Sequence, residues 1–171
     1  MFEEMCVLVV ACLVLLQAPM VAMTTCAEYS IGEGEKAEWT EMKKLLPVIE
    51  HELLQAEIRH PFANLNALIE EMLRRKTSSW SRRDLREVFV TYEGDLVQIA
   101  KHQHIRAYLK IIHKLHRIFI VLSRTAAAMK QSSQILTLVG DYWDNSYMKG
   151  AGESQLKGLI EAVKSIESSL V

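Results

Sequence analysis

Residues 102–130 run without a glycine, a proline or an acidic residue. Nothing in that stretch breaks a helix. At 100° per residue, Arg106, Lys110, Lys114, Arg117 and Arg124 fall within a wedge of about 80°. The rest of the circumference carries Ile105, Tyr108, Leu109, Ile111, Ile112, Leu115, Ile118, Phe119 and Leu122. A surface helix needs an apolar stripe of only about 100°. A helix apolar over more than half its circumference is either the centre of a bundle or one that meets a membrane or a partner.

The flanking segments read as companions for such a helix. Trp39, Met42, Leu46, Ile49 and Leu53 recur at helical spacing between Ala37 and Arg59, and Pro47 predicts a kink or two shorter helices there. His60-Pro61 ends that segment, because the residue before a proline is driven out of the α region. Phe62, Leu65, Leu68, Ile69, Met72 and Leu73 form the next stripe. After a loop at Thr77–Trp80, Ser81 and Asp84 stand at capping-box spacing ahead of Leu85, Val88, Phe89, Tyr92, Leu96 and Ile99. Asp141–Gly152 reads as a loop, and Ser154 as the N-cap of a final helix with Leu156, Leu159, Ile160, Val163, Ile166 and Leu170 on one side. Seven glycines and three prolines are too few for a turn-dense all-β chain. The fold class is all-α: residues 28–171 are expected to form a single bundle of four to six amphipathic helices, preceded by an apolar segment at 1–27.

In that segment Met5–Leu16 is uninterruptedly apolar, and the first basic residue of the chain is Lys36. The run has the length of a signal-peptide core and is short for a membrane span of about 20 residues. Small residues at Met20-Val21-Ala22 and Thr25-Cys26-Ala27 offer cleavage sites. The reading is a cleaved signal and a secreted protein; the alternatives are a membrane anchor, and a core helix of an intracellular bundle. Cys6 and Cys12 lie inside the run and Cys26 at its edge, so a mature chain would have no internal disulfide. A short leader ahead of an all-helical domain resembles helical cytokines in architecture, and that resemblance implies recognition of a protein partner.

Charge is segregated although it sums to −1. Residues 28–71 hold ten acids and four bases, whereas residues 96–140 hold seven bases and no acid. The basic wedge is a candidate contact for an anionic membrane surface, strengthened at low pH by His102, His104, His113 and His116. The competing reading sets the acidic helices beside the basic one within the bundle. Nucleic acid is not expected, since the basic stripe has no interleaved aromatics. Trp80 and Trp143 are candidate interface anchors, while Trp39 belongs to an apolar stripe.

His113 and His116, three apart, have the spacing of half a zinc site, but Lys110, Lys114 and Arg117 surround them and the segment has no carboxylate. His116 sits amid the apolar arc, where a hydrogen-bonded core histidine is the ordinary outcome. Glu57 and His60 match one ligand pair of ferritin-like di-metal bundles, without the second pair. No cofactor and no catalytic residue is expected. The sequence therefore predicts a non-catalytic, secreted helical bundle acting by protein–protein binding, with a membrane-active protein and a metal- or haem-binding bundle as the alternatives.

Overall fold

The computed structural model describes residues 29–75 and 79–171. The apolar N-terminal run, its cysteines and the expected cleavage sites lie outside the described residues. Helices dominate: α1 (Glu33–Lys43), α2 (Leu45–Gln55), α3 (Ala63–Arg74), α4 (Arg82–Ala100), α5 (Ile105–Lys130), α6 (Ser133–Tyr142) and α7 (Glu153–Ser169). A two-residue strand β1 (Tyr29–Ser30) pairs antiparallel with β2 (Ser79–Trp80). Among the described residues, no helix is long and apolar enough to cross a membrane.

Helix α5 is the axis of the bundle, and α1, α2, α4, α6 and α7 all pack against it. Most of its broad apolar arc is covered by this arrangement: Tyr108, Ile111, Leu115, Ile118, Phe119 and Leu122 are buried, while Leu109 stays exposed. The buried residues of all the helices form one cluster, to which α3 contributes Leu65, Ile69 and Met72. Pro47 falls in the first turn of α2, where its missing N–H costs nothing, and the chain bends at Lys44 just before it.

Local signals fix the ends. The Ser81 hydroxyl accepts from the Asp84 N–H at 3.1 Å while the Asp84 carboxylate accepts from the Ser81 N–H at 2.9 Å, a complete capping box for α4. Burial raises the pKa of Asp84, but hydrogen bonds from Arg75 and Ser81 outweigh it and hold the carboxyl below its ordinary range. Arg75 reaches Asp84 through both guanidinium nitrogens, at 2.7 and 3.2 Å, tying the end of α3 to the start of α4. Two expectations need correction. Gly152, not Ser154, is the N-cap of α7; its φ of 48° suits glycine, and its N–H donates to Gln155 Oε1 at 3.0 Å. The expected loop after Asp141 instead continues from α6 into a π-helical turn, Trp143–Tyr147.

Trp80 is also corrected: it is 0 % exposed and is no surface anchor. Its pairing with Tyr29 brings its ring 4.4 Å from that of Trp39, and its Nε1 donates to the Met72 carbonyl at 3.1 Å. Trp39 Nε1 donates in turn to Thr125 Oγ1 on α5 at 2.9 Å. Both indoles thus bury their area with the polar edge satisfied.

Candidate functional site

Antiparallel to α5, the acidic helices α1 and α2 lie along its basic wedge. Arg124 faces Glu38 at 3.7 Å and Lys110 faces Glu52 at 3.8 Å. Arg106, Lys110, Arg117 and Arg124 are exposed, and Lys114 is half-buried with its ammonium donating to the Lys110 carbonyl at 3.4 Å. Among the described residues, Arg106, Lys114 and Arg117 make no ion pair. The wedge is therefore partly neutralised within the bundle and partly open.

Between α1–α2 and α5 the packing leaves a cavity of about 550 Å³, within the range of about 300–1,000 Å³ typical of ligand sites. Met42, Leu45, Ile120 and Val121 give it an apolar lining, and Glu38, Glu41, Arg117 and Arg124 its charged groups. Glu41 is engaged by Lys44 at 2.6 Å, as Glu38 is by Arg124. The lining is completed by Ala37 and His116.

His116 is 5 % exposed and its Nδ1 has no hydrogen-bond partner among the described residues. Burial, assisted by the neighbouring His113, lowers its pKa to about 4, so the ring is neutral at physiological pH. The π-helical turn stacks on it: Tyr147 lies 4.6 Å from the imidazole at an interplanar angle of 26°, and Trp143 lies 4.6 Å from Tyr147 at 20°. The Tyr142 ring, 5.4 Å away, completes the surround, its hydroxyl raised well above the ordinary range by burial. His113 Nδ1 and the Tyr147 hydroxyl share a hydrogen bond of 3.0 Å. The two histidines at metal-site spacing have different surroundings, His113 in a bond to tyrosine and His116 in an aromatic stack. Among the described residues, no group of three histidine, cysteine or acidic side chains is placed to hold a metal ion. Glu57 adopts φ 62° beyond α2, and His60 faces Asp95 at 3.3 Å, so that pair does not converge on a common centre.

The aromatic turn is held firmly. Gln155 on α7 donates through Nε2 to the Tyr147 carbonyl at 2.7 Å while its Oε1 takes the Gly152 N–H. Gly158 lets the turn sit against α7, since a Cβ there would overlap the Ser146 side chain. On the outside of this turn Trp143 is 39 % exposed and Met148 62 % exposed; Leu109, one turn before His113 on α5, is 55 % exposed. Trp143 therefore lies at the surface, whereas the stack behind it was hidden from sequence spacing.

No family model matches the chain, and neither curated proteins nor solved structures yield a match.

Proposed function

We propose that this chain is a non-catalytic, secreted binding protein that engages a protein partner through the aromatic shelf of the π-helical turn. The supporting observation is Trp143, an exposed indole stacked on Tyr147, which is itself stacked on buried His116. A large aromatic held in one orientation loses little entropy on binding, which is why such residues dominate interface energetics. Met148 on the same turn adds exposed apolar area, and Leu109 does so on α5 one turn before His113. Secretion rests on the apolar run of residues 5–16.

The test is a photo-crosslinking amino acid placed at Met148, with exposed Glu161 on α7 as the control position. In medium and at the surface of expressing cells, a defined protein adduct is expected from Met148 and not from Glu161. Trp143→Ala should reduce it at least tenfold. Equal labelling from both positions, or an adduct indifferent to Trp143→Ala, would discard the shelf as the binding face.

A second reading, contact with an anionic membrane, is favoured by exposed Arg106 and Arg117, which make no ion pair among the described residues, on the same helix as exposed Leu109. It predicts co-sedimentation with phosphatidylserine vesicles that weakens with salt and is lost in Arg106→Glu/Arg117→Glu. Salt-insensitive or absent sedimentation at both pH 5 and pH 7.4 rejects it.

A further inference from the structure

The cavity between α1–α2 and α5 shares His116 with the aromatic shelf, but its lining includes none of Trp143, Tyr147 and Met148. Two acids and two arginines line it, and both acids are engaged. Glu38 is taken by Arg124 and Glu41 by Lys44, while Arg117 lines the same cavity with no ion pair among the described residues. Arg117 and Arg124 are seven residues apart on one face of α5, about 10 Å along the helix. The Glu38–Arg124 pair marks one end of that span and unpaired Arg117 the other, with Met42, Leu45, Ile120 and Val121 lining the cavity between them. His116, next to Arg117 on α5, closes the wall there with its ring buried.

We propose that this cavity binds one molecule of a single-chain anionic amphiphile, such as a medium-chain carboxylate, with its head on Arg117 and its hydrocarbon chain running toward the Glu38–Arg124 pair. The arginine fork donates to both oxygens of a carboxylate. The chain is covered by methionine, leucine, isoleucine and valine side chains, which reward length without selecting a shape. The ligand is a monomer dissolved from water or drawn from a lipid surface; it is not the bilayer itself.

Calorimetric titration of the full chain with decanoate, kept below its micelle concentration, tests this directly. Decanol and decyltrimethylammonium, of the same length, serve as neutral and cationic probes. One decanoate per chain is expected, bound at least tenfold more tightly than either comparison compound. Arg117→Gln should weaken decanoate about tenfold and leave decanol unchanged. Ile120→Trp, which fills the cavity, should abolish binding; Ile120→Ala, which enlarges it, keeps the test interpretable should the tryptophan variant fail to fold, and is expected to retain binding. Decanoate supplied in phosphatidylcholine vesicles should transfer to the protein and give the same stoichiometry. Absence of decanoate binding, equal affinity for decanol, or indifference to Arg117→Gln would each overturn the proposal. None of these results depends on Trp143, so they are independent of the fate of the protein-binding shelf.

Discussion

Replacing Trp39 with alanine is expected to lower the unfolding free energy by about 3–5 kcal/mol, the range for deleting a large aromatic from a core. Against a total of about 5–15 kcal/mol for a domain, that leaves the chain marginal or unfolded at 37 °C. The effect is large because Trp39 joins three parts of the chain at once. It is fully buried on α1, lies 4.4 Å from Trp80 on β2, and donates to Thr125 on α5. Trp39→Phe separates the contributions. It keeps most of the packing and removes the donor, while Thr125 retains the Val121 carbonyl at 3.4 Å; the expected cost is about 1–2 kcal/mol. Urea denaturation of the two variants beside the parent decides the matter. A loss below 1 kcal/mol for the alanine variant would mean that the Trp39–Trp80 contact is not part of the stabilising core.

Those indoles also show where sequence reading works and where it stops. The helix-forming stretch at 105–130 was legible because its pattern is local: apolar arc, basic wedge and no breaker all lie within one segment. The Ser81–Asp84 cap was legible for the same reason, since both partners sit three residues apart. Trp80 was not. Its burial depends on pairing with Tyr29, some fifty residues earlier, and on α1 carrying Trp39 to the same place. Amphipathic spacing assigned Trp39 correctly because a helix repeats, but a two-residue strand has no periodicity to read.

The cavity was hidden in the same way. Met42, Leu45, Ile120 and Val121 each look like ordinary stripe residues, and only the packing of α1–α2 on α5 leaves space between them. The charge segregation was visible, and the packing of the acidic helices beside the basic one accounts for part of it. Lys110 and Arg124 face acids from the N-terminal helices, as a register-setting arrangement requires, and Arg106 and Arg117 remain outside it. His116 was expected as a core histidine with a hydrogen bond; it is in the core, and it has stacked rings where the bond was expected.

That buried imidazole makes stability depend on pH in a way that a second group masks. His116 has a pKa of about 4 in the folded chain against 6.5 for a free ring, so the unfolded state takes up its proton first as pH falls. Its contribution is complete above pH 6.5 and is lost progressively toward pH 4. Glu167 on α7 behaves oppositely. Hydrogen bonding with the Glu93 carboxyl, then burial and the charge of Glu93, raise it from 4.5 to about 7, against smaller lowering influences from Arg86 and Lys164. Here the folded state takes up the proton first, so stability increases as pH falls from 7 to 4.5. Between pH 7 and 5 the two slopes oppose one another. Relative to the parent, Glu167→Gln should therefore become less stable as pH falls over this interval, and His116→Phe, which preserves the stack on Tyr147, more stable. Each divergence should reach about 1–2 kcal/mol across the interval, the Glu167 effect being the smaller because solvent reaches that carboxylate. The double variant should fall between the two single variants, nearer the parent than His116→Phe. Urea titrations at pH 7, 6 and 5 measure all four proteins on one scale, with titrations common to every chain cancelling in the differences. If either single variant keeps the parent's pH profile, the group it removes is not the source of the opposing slope. If His116→Phe alone does so, the ring has access to a proton acceptor or to water in the folded chain, and its burial beneath Tyr147 and Trp143 does not exclude the charged form.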